Sequence, residues 1–507
     1  YSFTTGVSGS AGTDVRPLQL DNFGANSTPN AVANLTASVG TGGIYAILWD
    51  SNATDLTVGN VTAQGEGNVL IAAANAGGHN LWVDGNITTG SGTITLFADD
   101  EFYITGNGSI GGAGFSGTVS LLGNRDAGNG QSIIMQDGSF ILTSNASPNA
   151  VLLTAQPSGT GGGTSDLTPQ GGIVLTNVTV GDGGTITVNA AGGTAAGRQG
   201  TIVQRNGTML DAGVSGSVVL LARANDTAGA LNTGNIGANG DTTDLVLLPI
   251  KVKAGKVTAI TNGTVLGNTG IINVINTIGG NFTASTSGNS AAFINLVTEA
   301  GILTIEGATS NSGGPITLIG ADGVVLNASL GSGTAGAMSI TGPLSGSGDI
   351  TLGNGGLTLT QNGSSTFAGD ISGSQPLTKA GTGTLTLNGN NTYSVGTTVS
   401  VGALLANNPG GTAFGSGSVT VDDGATIGGS GLGTTSIVVS GTLAPGALGN
   451  GTGLLGTGNL SFGGAGVRKV SLDLNGLTLG SGYDQVNTTG TVDLNGATLD
   501  LSINLVP

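Results

Sequence analysis

Residues 375–407 read QPLTKAGTGTLTLNGNNTYSVGTTVSVGALLAN, and the rest of the chain can be understood from this segment. Its apolar residues form three close pairs, which are Leu385 and Leu387, Val399 and Val401, and Leu404 and Leu405. Alternation with a period of two is typical of a strand with one buried face. Because a run this short cannot bury that face alone, each unit needs a similar unit on either side. The segment therefore predicts a solenoid whose neighbouring coils supply both hydrogen bonds and apolar contacts.

The composition supports an all-β chain with many turns. Glycine occupies 99 of the 507 positions, and 37% of the residues are hydrophobic, too many for a disordered chain. Only 8% are charged, so Thr, Ser and Asn must supply the polar surface, which suits stacked turns. Gly and β-branched residues interrupt any helical period, so no helix is predicted.

Two segments resemble known families. LTKAGTGTLTLNGNNTY (residues 377–393), followed by GTTVSVGALL (residues 396–405), resembles the passenger-associated repeat of bacterial autotransporters and related β-helix surface proteins. GTITLFADDEFYITGNGSIGGAG (residues 92–114) is similar to filamentous-haemagglutinin-like β-helices. The resemblances imply a right-handed parallel β-helix, a rod of about twenty coils at roughly 20 to 25 residues each.

The pattern divides the chain into three predicted segments. Residues 1–30 alternate little and are interpreted as an N-terminal arm or cap. Residues 31–365 are predicted to form haemagglutinin-like coils, with an irregular part near 231–300 where Pro249 interrupts an apolar run. Residues 366–507 are predicted to hold the passenger-associated repeats and the terminal strands.

The charge of the chain and its targeting signals bear on its partners and its location. A net charge of −17 with only 11 Lys and Arg argues against nucleic-acid binding. No apolar run is long enough for membrane insertion by this segment, and cysteine is absent. The chain begins at Tyr1 and stops at Pro507, so we expect export and attachment signals to lie in segments outside it. The family resemblance implies an extracellular or bacterial cell-surface location.

Catalytic groups are sparse. Asp99, Asp100 and Glu101 form the densest acidic cluster, with weak Ca²⁺ binding as a minor interpretation and an exposed turn as the main one. Asp422 and Asp423 form a second pair, and His79 is the single histidine, without a nucleophile motif around it. We therefore predict a non-enzymatic protein without cofactors. A polysaccharide-active β-helix enzyme stays open, because carboxylates from adjacent coils can converge.

Asn-x-Ser/Thr triplets are frequent, and a low-charge surface gains solubility from glycans. Some exposed triplets are therefore expected to carry sugar. The candidate positions are Asn26, Asn34, Asn52, Asn60, Asn86, Asn107, Asn145, Asn177, Asn206, Asn225, Asn262, Asn281, Asn327, Asn362, Asn390, Asn450, Asn459 and Asn487.

The two ends predict self-assembly. The last strands alternate apolar residues up to the end of the chain, at Leu499, Leu501, Ile503 and Leu505. The N-terminal arm carries Tyr1, Phe3 and Val7, which could cover the open coil of another copy by strand addition. Because the two surfaces differ, the contact would propagate into a head-to-tail filament, sheath or adhesive layer, with surface glycans as further partners. The alternatives are a passenger adhesin whose export domain is missing, and an edge that a further domain covers.

Overall fold

A computed structural model describes most of the chain. The described residues are 2–4, 18–20, 33–40, 42–48, 55–73, 80–123, 133–155, 172–191, 200–223, 234–237, 248–262, 270–287, 292–311, 313–331, 334–408, 410–449 and 451–505. Over these residues the regular structure is β-strand and no helix occurs. The chain divides into unit 1, Tyr1–Gly280 with Ala284–Phe293, and unit 2, Asn281–Thr283 with Ile294–Pro507.

The strands of unit 1 are β1 (Ser2–Thr4), β2 (Leu18–Leu20), β3 (Ala33–Val39), β4 (Ile44–Leu48), β5 (Leu56–Ala63), β6 (Val69–Ala73), β7 (Leu81–Val83), β8 (Asn86–Thr88), β9 (Ile94–Ala98), β10 (Phe102–Ile104), β11 (Ser109–Gly111), β12 (Val119–Gly123), β13 (Ile133–Met135), β14 (Phe140–Leu142), β15 (Val151–Ala155), β16 (Ile173–Leu175), β17 (Asn177–Thr179), β18 (Thr185–Ala191), β19 (Ile202–Gln204), β20 (Leu210–Arg223), β21 (Ile250–Asn262) and β22 (Ile272–Asn276). β23 (Gly280–Ser287) has residues in both units.

The strands of unit 2 are β24 (Ile294–Thr298), β25 (Ile302–Ile305), β26 (Ile316–Gly320), β27 (Gly323–Leu326), β28 (Leu330–Gly331), β29 (Met338–Thr341), β30 (Leu344–Gly346), β31 (Ile350–Leu352), β32 (Leu357–Thr360), β33 (Ser365–Phe367), β34 (Ile371–Gly373), β35 (Leu377–Ala380), β36 (Thr384–Leu387), β37 (Thr397–Val399), β38 (Ala403–Ala406), β39 (Val419–Val421), β40 (Thr426–Gly429), β41 (Ile437–Val439), β42 (Thr442–Pro445), β43 (Leu454–Thr457), β44 (Leu460–Phe462), β45 (Lys469–Leu474), β46 (Gln485–Thr488), β47 (Val492–Asp493) and β48 (Thr498–Ile503).

Parallel pairing between coils builds unit 1. Each short strand pairs with the strand at the same place in the next coil, so apolar residues stack into columns whose side chains point inward. One such column is fully buried and consists of Ile94, Val119, Val151, Ile186, Val218 and Val257. β21 begins at Ile250, directly after Pro249, so the proline precedes the ladder instead of interrupting it. β-Branched side chains suit this arrangement because they pack well on a pleated surface.

Unit 2 follows the same rule, with a shorter repeat in its middle coils. Hydrogen bonds between equivalent turns there join residues 20 or 21 positions apart, as from Asn390 to Asp370 and from Asp370 to Asp349. In unit 1 such bonds span 21 residues from Glu101 to Asn80 and 32 from Met209 to Asn177. The last coils of unit 2 are long again, because the bond from Thr491 to Asn459 spans 32 residues. Coil length therefore varies along both units.

Glycine and aspartate shape one turn column of unit 2. The backbone N–H of Asp370 donates to Asp349 Oδ1 at 2.9 Å, and that of Asn390 donates to Asp370 Oδ1 at 2.7 Å. Beside them, a Cβ on Gly389 would lie 2.2 Å from the carbonyl oxygen of Gly369. Successive coils thus pass too close for any side chain at this position, which explains much of the glycine content.

These observations confirm the predicted parallel β-helix, built from strands without helices over the described residues. The right-handed sense and the count of about twenty coils stay predictions. The division at residues 30, 231–300 and 365 concerned repeat type and also stays a prediction.

Candidate functional site

The segment at residues 377–406 forms two successive levels of the solenoid. β35 pairs in parallel with β37, and β36 pairs in parallel with β38. Leu385 is thereby placed directly against Leu404, and both side chains are fully buried. Burial of one leucine contributes roughly 1.5–3 kcal/mol to folding. The alternation at Leu385 and Leu387 therefore corresponds to the inner wall of the coil. The pairing of Val399 with Val401 on that face was wrong, because β37 ends at Val399 and Val401 is 44% exposed.

Lys379 occupies an inward position of β35 and is fully buried. Its Nζ donates hydrogen bonds to three backbone carbonyl oxygens, of Ala380 at 2.9 Å, Gly381 at 2.8 Å and Val401 at 3.2 Å. Burial lowers the pKa of Lys379 to about 8, because removal from water disfavours the charged amine. The lysine therefore ties the end of one level to the turn of the next through its ammonium group.

Tyr393 is a second polar group inside the same repeat. Its ring is fully buried, and its hydroxyl lies 2.6 Å from Thr397 Oγ1. Thr397 in turn donates to the carbonyl oxygen of Phe414 at 3.1 Å. Burial raises the pKa of Tyr393 well above its usual value. The Asn-Thr-Tyr phrase of the sequence thus supplies a hydrogen-bonded corner of the coil.

The last described strands of unit 2 carry several exposed apolar side chains. We call the side chains of Val492, Leu494, Leu499, Leu501, Ile503 and Leu505 the terminal edge. β48 pairs with β45 along its whole length, which places Leu499 against Val470 and Leu501 against Leu472. Leu499 is 59% exposed, although Leu443 and Leu404 in the same column of earlier coils are fully buried. Leu501 is 47% exposed. The predicted bare strand is therefore present as an exposed apolar surface.

The N-terminal arm is described in part. β1 pairs in parallel with β3, with Phe3 opposite Ala37, and β2 pairs in parallel with β4. Tyr1 and Val7 lie outside the described residues. The arm therefore contributes strands alongside the first coils of its own chain, and its contact with another copy stays a prediction.

The acidic cluster at residues 99–101 is part of the wall. Asp99 is buried, and its backbone N–H donates to the carbonyl oxygen of Ala73 at 2.9 Å. Glu101 accepts a hydrogen bond from the Tyr103 hydroxyl, and its backbone N–H donates to Asn80 Oδ1 at 3.0 Å. At least one carboxylate of the triplet is thus engaged in structural hydrogen bonding.

An aromatic pair covers the neighbouring outer face. Trp82 and Tyr103, at paired positions of β7 and β10, stack with ring centroids 3.9 Å apart and planes inclined by 6°. Trp82 Nε1 donates to Asp55 Oδ2 at 3.0 Å. Burial, followed by the bond to Glu101, raises the pKa of Tyr103. Because each ring covers one face of the other, the stacked pair links two adjacent coils.

Other candidate groups are dispersed. Asp422 and Asp423 lie exposed in a turn after β39, and His79 falls outside the described residues. Over the described ranges, no group of three or more His, Cys, Asp or Glu side chains is arranged to hold a metal ion. Nor does any described segment form a helix that is long and apolar enough to cross a membrane.

Most of the predicted glycosylation positions that the structure describes lie on the surface. The exposed ones are Asn60, Asn86, Asn107, Asn177, Asn206, Asn281, Asn327, Asn362, Asn390, Asn459 and Asn487. Asn145 is half-buried. Asn26, Asn52, Asn225 and Asn450, and the side chains of Asn34 and Asn262, lie outside the described part. Several exposed asparagines also bridge coils; Asn177 Oδ1, for example, accepts the backbone N–H of Met209 at 2.9 Å.

Two polar groups of unit 2 were not predicted from the sequence. The burial of Lys379 could have been inferred, because it takes an apolar place in the alternation of LTKA. Asp484, which is also buried, follows a segment without alternation, and no local signal indicates its burial.

Comparison with the curated proteins and with the solved structures gives no significant match for this chain. A family model does match within it, and its description is Passenger-associated-transport-repeat. The match covers residues 377–406, which are the two levels built by β35 to β38. The segment predicted from its residues to be a passenger-associated repeat thus matches that repeat family, and it lies in a parallel β-solenoid consistent with autotransporter passengers.

Proposed function

We propose that this chain is the passenger-type β-solenoid of a secreted or bacterial cell-surface protein, and that copies join end to end into a filament or adhesive layer. The passenger-associated-transport-repeat at residues 377–406 supports the surface role. The repeat family and the solenoid fold point to a structural or adhesive passenger, not to a known enzyme.

The terminal edge carries the assembly proposal. Strand β48 has β45 as its paired neighbour, and the inward column that ends in Leu499 is half open to solvent. The occupant that fits such an edge is another coil of the same repeat, because it offers a parallel strand and an apolar column at matching spacing. The N-terminal strands of a second copy are proposed as that coil, giving a heterologous contact that propagates.

The net charge of the chain makes this assembly depend on ionic strength. The chain carries a net charge of −17, so copies repel one another at low ionic strength. Beside the terminal edge, Lys469 and Asp500 form an ion pair whose charges compensate each other. Filaments are therefore expected to lengthen as salt screens the repulsion between whole copies.

The test uses the full chain, electron microscopy and sedimentation velocity at increasing salt. Leu501→Asp, on the terminal edge, is expected to leave folded monomers, and removal of residues 1–30 is expected to do the same. Val438→Asp is the matched control, because Val438 is 40% exposed on the outer face of β41. A wild-type chain that stays monomeric throughout, or filaments unchanged by Leu501→Asp, would overturn the assembly proposal.

Glycosylation is a separate part of the proposal. Exposed triplets such as Asn206 and Asn487 present their side chains to solvent, where a glycan would meet no wall of the solenoid. Mass spectrometry of the peptides that contain Asn206 and Asn487, from the protein isolated from its natural source, tests this. Peptides found only with their unmodified masses would contradict it.

A further inference from the structure

A polar cavity lies on the outer face of unit 2, beside the last coils. Its volume is about 250 Å³, and its walls include the hydroxyls of Thr426, Thr442 and Ser471. These residues lie on β40, β42 and β45. Thr426 and Thr442 are paired and face outward, because the residues that follow them, Ile427 and Leu443, are fully buried. Ser471 lies two residues after Lys469, the partner of Thr442, and therefore on the same face of the sheet. At about 30 Å³ per water molecule, the space equals roughly eight waters and would accept one sugar ring.

Two carboxylates face the same cavity. Asp473 lies on β45, and Asp484 lies just before β46. Asp484 is 9% exposed, and its oxygens accept the backbone N–H groups of Gly453 at 2.7 Å and Asp473 at 2.8 Å. Burial raises the pKa of Asp484, and the neighbouring charge of Asp473 adds to this effect. The position of Asp484 is thereby fixed, while Asp473 projects from the strand beside it.

The remaining wall is apolar. Ala444 and Pro445, at the end of β42, and Leu448, in the turn that follows, border the cavity. That turn is held over the sheet by a bridge between Gly429 and Gly446, whose N–H donates to the Gly429 carbonyl at 2.8 Å. The cavity thus sets an apolar rim against a floor of hydroxyl and carboxylate oxygens.

This lining selects among ligand classes. No lysine or arginine is among the described residues that line the cavity, and two carboxylates repel an anionic ligand. With two carboxylates as its charged ligands, the lining is poor for Ca²⁺, which takes six to eight oxygens in proteins. A neutral sugar ring matches it better, because its hydroxyls can donate to carboxylates while its C–H face packs on Pro445 and Leu448.

We propose that this cavity binds one neutral pyranose ring, held by hydroxyl groups that donate to Asp473 and exchange hydrogen bonds with Thr442 and Ser471. Asp484 is a positioning residue, because it fixes the backbone of Asp473. The site goes beyond the structural role proposed above and does not depend on filament formation.

Titration of the full chain with methyl glycosides of glucose, galactose, mannose and N-acetylglucosamine, followed by ligand-observed NMR, tests the site. Galacturonic acid is the anionic probe and CaCl₂ the metal probe. At least one neutral sugar is expected to bind, and Asp473→Asn is expected to weaken it about tenfold or more, since hydrogen bonds to charged groups are strong. Asp500→Asn, on the paired strand and outside the lining, is the control and should bind as the wild type does.

Thr442→Val provides a second variant of nearly equal shape, and it should weaken the same sugar several-fold. Thermal unfolding checks that each variant is folded, and electron microscopy checks that Asp473→Asn assembles as the wild type does. Absence of binding by every neutral sugar would overturn the proposal, as would equal binding of galacturonic acid, binding of Ca²⁺ alone, or unchanged affinity in both variants.

Discussion

One column of side chains in unit 2 passes through two environments. Leu385, Leu404, Ile427 and Leu443 occupy paired positions and are fully buried. The column continues through Val470 to Leu499, which is 59% exposed. The residue types hardly change along it. Among the described strands, however, Leu443 has a paired strand on each side and Leu499 has one on a single side. Burial in this fold therefore depends on position in the stack. A leucine of this column is buried in one coil, and its equivalent in another coil is exposed.

The largest expected loss of stability comes from a substitution at a buried leucine, and it can be compared with the same substitution at an exposed one. Leu385→Ala should lower the free energy of unfolding by about 2–5 kcal/mol, because it leaves a cavity between two coils. Leu501→Ala should lower it by about 1 kcal/mol or less, because that side chain already faces water. Urea unfolding followed by circular dichroism at concentrations below assembly measures both. Equal losses would mean that the two environments do not differ.

Substitution of Lys379 tests how a charged side chain buried between coils affects stability. Lys379→Met should lower stability at pH 7 by about 1–3 kcal/mol, because three carbonyl oxygens lose a donor. The ordinary lysine pKa of 10.5 applies to the unfolded chain, and burial lowers it to about 8 in the fold. Between these values the unfolded chain holds more protons, so the stability of the wild type rises with pH.

The free energy of unfolding of the wild type is expected to rise by about 2 kcal/mol between pH 7 and pH 9.5. The Lys379→Met variant should lack this rise. Urea unfolding of both proteins from pH 7 to 9.5 gives the comparison. Parallel pH profiles for the two proteins would contradict the assigned role of the buried amine.

Backbone contact between coils gives the third test. A Cβ on Gly389 would meet the carbonyl oxygen of Gly369 at 2.2 Å, so Gly389→Ala should cost about 1–3 kcal/mol as the coils separate. Gly463 directly follows β44, and a Cβ added to it would have no atom within 4 Å. Gly463→Ala should therefore change stability by about 0.5 kcal/mol or less, which the shift in thermal midpoint would reveal.

A small effect is also expected from the surface ion pair of Lys469 and Asp500, beside the terminal edge. Both side chains are more than a third exposed, so water and salt screen their attraction. Asp500→Asn should change the free energy of unfolding by less than about 1 kcal/mol. A larger loss at 0.15 M salt would show that the last coil depends on charge more than on apolar contact.

Much of the fold could be predicted because each coil carries its own pattern. The alternation at Leu385 and Leu387 indicated an inward face, and the glycines indicated turns. The cavity beside Asp473 could not be predicted, because its walls come from β40, β42, β45 and a turn that are distant in sequence. The contact of Glu101 with Asn80 could not be predicted either, because the two residues are 21 positions apart and meet only between adjacent coils. Tyr103, by contrast, is two residues from Glu101 in the sequence.

The sequence by itself determined the class of structure. A period of two, dense glycine and short apolar runs permit little except a stack of parallel strands, because no single run can bury its own face. The tertiary structure decided which atoms meet between coils: the carbonyl oxygens around Lys379, the aromatic ladder of Trp82 and Tyr103, and the exposure of Leu499. The physical reason is that local pattern sets the direction of a side chain, whereas coil length and register set its neighbours.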